Sequence, residues 1–390
     1  MDPSRHPGRP LFVILVAGVL TLVAATLVSA LKHPPAAAAA RVSLAASLSG
    51  DVPGFAQAET VRAFHFPADH GPHPDFRTEW WYWTGNLETA THRRFGYQYT
   101  LFRVGLTPGA ALTPAGGSAW STNQIYFAHL ALSDPAEHRF IAVHDAVRGA
   151  VGLAGAQADP FRVWIGTWEV AGWNPCHLQA RHPGAEPFAL DLLLAPGKPI
   201  VLEGDRGLSA KGAGGASYYY SCTRMPTTGR ITTASGSFAV QGDSWMDREW
   251  STTALAHNQI GWDWFALQLA DGRDLMLYRM RLAGGGYDPA SSGTLVAADG
   301  DATHLTQAQF SISAGGAWTS PHGEVYPDTW QVQVPSAGID CRLTPVMDDQ
   351  ELDVGLRYWE GAVNISGAQG GRGYVELTGY DQRGLNAAQP

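Results

Sequence analysis

An aromatic phrase headed by glutamate and tryptophan occurs twice in this chain, about half its length apart. The first is Glu79-Trp80-Trp81-Tyr82-Trp83-Thr84-Gly85, followed after a turn by Phe95-Gly96-Tyr97-Gln98-Tyr99. The second is Glu249-Trp250-Ser251-Thr252-Thr253, followed by Gly261-Trp262-Asp263-Trp264-Phe265-Ala266-Leu267-Gln268. Repetition on this scale points to two copies of one β-domain. Two such domains packed together form a cleft, the usual place for a ligand.

Composition agrees. A chain of 390 residues is long for one core and sufficient for two. Its 45 Gly and 25 Pro make turns frequent and long helices unfavourable. Trp, at 14 residues, fills sheet cores and walls pockets for flat or apolar molecules. A net charge of -9 with no basic patch excludes a nucleic-acid partner. Cys176, Cys222 and Cys341 are widely spaced and form no Cys-x-x-Cys. They read as three buried thiols, with a Cys176–Cys222 bridge as the alternative.

Leu11 to Leu31 is free of charge. As a helix it would be roughly 31 Å long, enough to cross a bilayer. Arg5 and Arg9 precede it, which directs the following chain outward. A signal peptide cleaved near Val28-Ser29-Ala30 or Ala38-Ala39-Ala40 and an uncleaved transmembrane anchor both fit. Either places the rest in an extracytoplasmic, periplasmic or secreted setting. The Ala- and Pro-rich stretch that follows completes a leader-plus-linker over residues 1–50.

From Asp51 onward the pattern is strand, turn, strand. Asp271-Gly272 marks a hairpin with Leu275–Leu282 as its return strand, and Asp299-Gly300 marks another turn. Tyr218-Tyr219-Tyr220-Ser221 is echoed by Tyr358-Trp359-Glu360-Gly361, and Gly236–Gly242 by Gly373–Gly379. These echoes predict domains at 51–242 and 243–390, with Asp243–Arg248 as the crossover between them. The fold class is all-β: two tandem antiparallel barrels after an N-terminal hydrophobic helix.

Five phrases together resemble a known family. They are Thr78–Gly85, Ala128-His129-Leu130-Ala131-Leu132-Ser133-Asp134, Asp247-Arg248-Glu249-Trp250, Gly261–Phe265 and Tyr358–Val363. They are similar to the AttH/CrtC lipocalin-like proteins, which include secreted predicted hydrolases, carotenoid 1,2-hydratases and related fungal pericyclases. The resemblance spans about residues 55–385 and implies two lipocalin-like barrels with an apolar pocket at their interface. It also implies an association of AttH-type members with export transporters, hence an ABC-type membrane complex as partner. The hydratase branch uses an Asp-His-Asn-Trp segment and a Tyr-x-Asp. Here Arg248 replaces the His and Met280 replaces the Asp, so the proton donor of that branch is missing.

Protonating an alkene needs a carboxylic acid kept neutral in an apolar pocket. Asp263, between two Trp residues on a strand, is the catalytic candidate, with Glu249 and Tyr278 beside it. The structural alternative for Asp263 is a salt bridge to Arg279. Asp247, Arg248 and Glu249, flanked by Trp245 and Trp250, read either as a polar cluster at a cleft mouth or as a salt-bridged linker. Glu79 stands at the corresponding place in the first half, which suggests architecture before chemistry. The remaining ligand-binding candidates are Trp80, Trp250, Trp262 and Trp264. His70, His73 and Asp75 lie close in sequence, yet two prolines stiffen the loop and no further cluster joins them, so no metal is assigned. His129 reads as a hydrogen-bonded core histidine. No Gly-x-Ser-x-Gly, His-Glu-x-x-His, phosphate loop or dinucleotide motif is present, so no cofactor is assigned.

Three functions fit these residues. The first is an extracytoplasmic protein that binds a hydrophobic or lipid-like molecule between two barrels. The second is a cofactor-free lyase or isomerase acting on a polyene or isoprenoid. The third is an envelope structural protein without a ligand.

Overall fold

The computed structural model describes residues 53–109, 118–212, 215–253 and 255–380. The apolar segment 11–31, read above as signal or anchor, lies outside them. Among the described residues no helix is long and apolar enough to cross a membrane.

The described chain is almost wholly antiparallel β-structure in two large curled sheets. In the first, the strand Thr78–Glu88 pairs with Arg94–Gly105 on one side and with Gly236–Ser251 on the other. In the second, Gln259–Leu269 pairs with Asp274–Leu282 and with Gly371–Leu377. Each half thus brings its opening strand against its closing strand, curling the sheet into a near-barrel. The penultimate strands, Ala216–Thr233 and Arg357–Gly367, pair with the closing strands in the same order. The two halves are tandem lipocalin-like barrels.

Two expectations change. Gly236–Ser251 is one uninterrupted strand of the first sheet, so the passage to the second sheet follows Ser251 instead of occupying Asp243–Arg248. The phrases beginning Glu79 and Glu249 are also not structural counterparts. They are neighbours on paired strands, with Glu79 opposite Trp250 and Trp80 opposite Glu249. The counterpart of Thr78–Glu88 by place in the sheet is Gln259–Leu269.

Alternation along these strands separates two environments. Trp81, Trp83 and Leu87 fill the first barrel, and Phe265, Leu267 and Leu269 fill the second. The opposite faces meet at a seam, where Tyr82, Tyr219 and Trp245 of the first sheet pack with Trp264, Met276 and Tyr278 of the second. Both faces are therefore buried, which is why these strands lack a polar stripe. The sheets approach closely: a Cβ on Gly96 would stand 2.8 Å from the Cβ of Ala362. Asn86 Nδ2 donates across the seam to the Gly373 carbonyl at 3.0 Å, and Ser133 Oγ donates to Gln350 Oε1 at 2.7 Å. Cys176, Cys222 and Cys341 are all free and buried, so the Cys176–Cys222 bridge is not formed.

Candidate functional site

A cavity opens in the seam between the two sheets. Its walls follow from strand geometry. Trp80 with Tyr82, Thr100 with Phe102, Trp262 with Trp264, and Tyr278 with Met280 are each two residues apart on one strand, and all face inward to it. The same spacing delivers Asp247 with Glu249 and Tyr358 with Glu360. Lys211, Tyr219 and Glu376 complete the lining. Apolar walls around a few convergent polar groups are the ordinary make-up of a small-molecule site.

The polar groups fall into three sets. Asp247 accepts hydrogen bonds from the Tyr219 hydroxyl at 2.7 Å, Ser221 Oγ at 2.6 Å and Trp245 Nε1 at 2.7 Å. Burial pushes its carboxyl up to about 7, and these three donors oppose the rise. Glu249 Oε1 meets Lys211 Nζ at 3.0 Å, and that ammonium lies 4.4 Å from the centre of the Tyr278 ring. The third set is Glu360 and Glu376, directly opposite each other on paired strands. Burial, and then the charge of Glu376, drive the Glu360 carboxyl well above the ordinary range, against the moderating hydroxyls of Tyr82 and Tyr358. Glu376 rises for the same leading reason, with Asp247 and Glu249 adding to it and Trp262 opposing. Glu360 Oε1 has no hydrogen-bond partner among the described residues.

Behind Asp247, Glu203 is fully buried and accepts from Thr294 Oγ1. Burial pushes its carboxyl up to about 8, while Thr294 and Ser221 oppose.

The sequence candidates separate cleanly by face. Trp80, Asp247, Glu249, Trp262, Trp264 and Tyr278 line the cavity. Asp263, the proposed acid, lies on the opposite face of its strand. It is held by Arg279 at 2.8 Å and Arg281 at 3.6 Å, and accepts from the Tyr380 hydroxyl at 2.9 Å. Its place is the interior of the second barrel, so the salt-bridge alternative holds and it is no proton donor to the seam. Arg248 and Glu79 point into the first barrel. Arg248 and Arg103 both pair with Glu79 there, and the Arg248 guanidinium lies 4.0 Å from the centre of the Trp81 ring. Trp250 stacks on His73 at 3.8 Å in the same interior. Glu79, Arg248 and Trp250 thus lie in the first barrel's interior and do not line the cavity.

The loop histidines are occupied as well. His70 Nδ1 is 2.7 Å from the Tyr220 hydroxyl and its ring stacks on Trp173. His73 Nε2 is 3.0 Å from Asp69 Oδ1. Among the described residues no group of three or more His, Cys, Asp or Glu could hold a metal ion. His129 is a core histidine, its Nδ1 2.7 Å from the hydroxyl of Tyr358 across the seam.

A family model described as AttH-like matches residues 57–380. The chain belongs to the AttH-like family. The crystal structure of a protein assigned to AttH from Nitrosomonas europaea shares 36% identity with this AttH-like chain, covers 84% of it and 100% of its own length, and superposes with a TM-score of 0.73. The structure of kievitone hydratase from Nectria haematococca shares 14% identity, with coverage of 85% and 97% and a TM-score of 0.62, a likeness of fold. No curated protein matches the sequence.

Within this AttH-like chain, the cavity residues missed by sequence reasoning are Lys211, Tyr219, Glu360 and Glu376. Glu360 and Glu376 both stand in phrases already noted as repeats, Tyr358–Gly361 and Gly373–Gly379. A glutamate inside a strand otherwise made of buried residue types was the available signal. Met280, at the position where the hydratase branch has Asp, lines the cavity as an apolar wall. The carboxyl-bearing residues that line it are Asp247, Glu249, Glu360 and Glu376.

Proposed function

We propose that this protein is a cofactor-free lyase or isomerase, hydratase-like in its chemistry, that takes a hydrophobic small molecule into the seam cavity. The observation that carries this reading is the Glu360–Glu376 pair, a buried carboxyl and a half-buried one directly opposed in an aromatic-walled space. Two carboxyls opposed in an aromatic-walled site disfavour ionising together, so one keeps a proton available for transfer to carbon. Asp247 differs: three donors orient its carboxyl, and burial raises it to about 7, which suits it to accept and release a proton near neutral pH. An acid and a base on one cavity suit addition or loss of water at a double bond, or movement of that bond.

Simple carriage of a hydrophobic ligand uses the walls but leaves the two glutamates without a purpose. A purely structural role leaves the cavity itself without one. With residues 11–31 acting as signal or anchor, the reaction would take place outside the cytoplasm, close to the membrane and to any transporter that supplies the ligand.

The test is to extract hydrophobic molecules that co-purify with the protein and to incubate the extract with it in D2O. Deuterium entering carbon positions with wild type, but not with the Glu360→Gln/Glu376→Gln variant, is the expected result. A single unmodified lipid that gains no label would show a carrier instead.

A further inference from the structure

We infer that the molecule held in this cavity carries a carbonyl oxygen, and that Lys211 is the residue that binds it; this rests on the reading of the seam as a hydrophobic substrate site. Lys211 is the one cationic side chain in the lining, alongside four carboxyl-bearing residues. Its position is built by both halves of the molecule. The segment Leu208–Ala210 belongs to the first sheet, yet second-barrel side chains clamp its end. The Tyr278 hydroxyl donates to the Ala210 carbonyl at 2.8 Å, and Gln259 Nε2 donates to the Lys211 carbonyl at 2.6 Å and to Asp288 Oδ2 at 3.0 Å. The following residue must be glycine. Gly212 has φ +98°, and a Cβ there would meet Asp288 Oδ2 at 2.5 Å.

The ammonium so placed has three N–H groups. Among the described residues its oxygen partner is Glu249 Oε1, and the rings of Tyr278 and Tyr219, 4.4 and 5.3 Å away, cover other sides without accepting conventional hydrogen bonds. A buried ammonium with spare donors is incomplete until an acceptor arrives. An anionic group would add its charge to Asp247 and Glu249 in a confined space. A neutral carbonyl oxygen adds none and accepts the free N–H.

Chemistry follows from that contact. With a double bond conjugated to the carbonyl, water attacks the far carbon and Asp247 takes its proton. The π electrons move onto the carbonyl oxygen, giving an enolate held by Lys211. The protonated member of the Glu360–Glu376 pair then protonates the near carbon, and the carbonyl re-forms. One C–O and one C–H bond are made, one C=C π bond is lost, and the proton on Asp247 restores the glutamate pair through solvent.

β-Ionone, a hydrophobic conjugated ketone, and the hydrocarbon lacking its oxygen are suitable probes. Quenching of intrinsic tryptophan fluorescence, with Trp80, Trp262 and Trp264 in the walls, reports binding. Wild type should bind the ketone about tenfold more tightly than the hydrocarbon, the size expected of one charge-assisted hydrogen bond. Lys211→Met should erase that preference, and Lys211→Arg should keep part of it. The infrared carbonyl stretch of β-ionone bound to wild type should also move to lower frequency, a readout that needs no variant to fold. Equal affinity for the two probes in wild type, an unshifted stretch, or a preference that survives Lys211→Met would overturn the role of Lys211 while leaving the cavity reading intact. Failure of both probes to quench wild type would count against the cavity reading itself.

Discussion

Glu360 and Glu376 occupy directly opposed positions on neighbouring antiparallel strands, and both side chains reach the same enclosed space. Like charges so placed repel, and burial removes the water that would otherwise support the Glu360 charge. At neutral pH the pair should therefore hold at least one proton. Infrared spectroscopy of the wild type at pH 7 is expected to show a protonated carboxylic acid band that shifts in D2O. The band should lose intensity in Glu360→Gln/Glu376→Gln, the remainder coming from Glu203 and Asp247, which burial also raises. The same band in the double variant, unchanged in intensity, would assign the proton elsewhere.

Glu79 makes the opposite kind of site. It is fully buried between Arg103 and Arg248 and also accepts from the His73 amide. Burial raises its carboxyl, but the two guanidiniums overcome this and hold it far below the usual range. Removing the carboxylate strands two buried cations. Glu79→Ala is expected to cost about 3–5 kcal/mol in chemical denaturation. A loss within 1 kcal/mol, roughly what an exposed pair contributes, would mean the network is not structural.

Asp263 and Trp262 are adjacent in sequence but face different compartments, so their variants should behave differently. Asp263→Asn weakens the links to Arg279, Arg281 and Tyr380 inside the second barrel. It should lower stability by about 2–4 kcal/mol and leave affinity for a cavity probe within about twofold. Trp262→Ala opens the cavity wall, and should weaken the same probe about tenfold or more. Reversed outcomes in paired melting and fluorescence titrations would refute this assignment of faces.

The residue pattern made much of this architecture legible. Hairpin signals at Asp271-Gly272, the doubled Gly-bounded strands and the aromatic phrases lead to two antiparallel barrels with a seam between them. Period-two spacing puts Trp262 and Trp264 together on a face away from Asp263 and Phe265. What sequence left open was which face looked at the cavity. In a strand buried on both sides, the barrel interior and the seam demand the same residue types, so Asp263 and Glu249 look alike until the sheets are docked. Only then does the register reveal that Glu79 and Trp250 are partners across one ladder. Lys211 was invisible for a different reason. It gains its role from Gln259 and Tyr278, contacts many residues away in the chain.

Glu203 gives a pH signature that can be worked out in sign. Its folded carboxyl is raised from 4.5 to about 8, chiefly by burial. Between those values the folded protein keeps a proton that the unfolded chain releases, so stability falls as pH rises across this window. Its contribution is constant below 4.5 and the loss is complete above about 8. Glu203→Gln keeps the shape but cannot ionise. The variant should lack this part of the decline and be more stable than wild type at pH 9, by on the order of 5 kcal/mol if the unfolded group titrates normally. At pH 4, where both side chains are neutral in the folded state, the two proteins should differ little. Denaturation midpoints measured from pH 4 to pH 9 test this. A difference between variant and wild type that stays constant across the range would show that Glu203 does not titrate there.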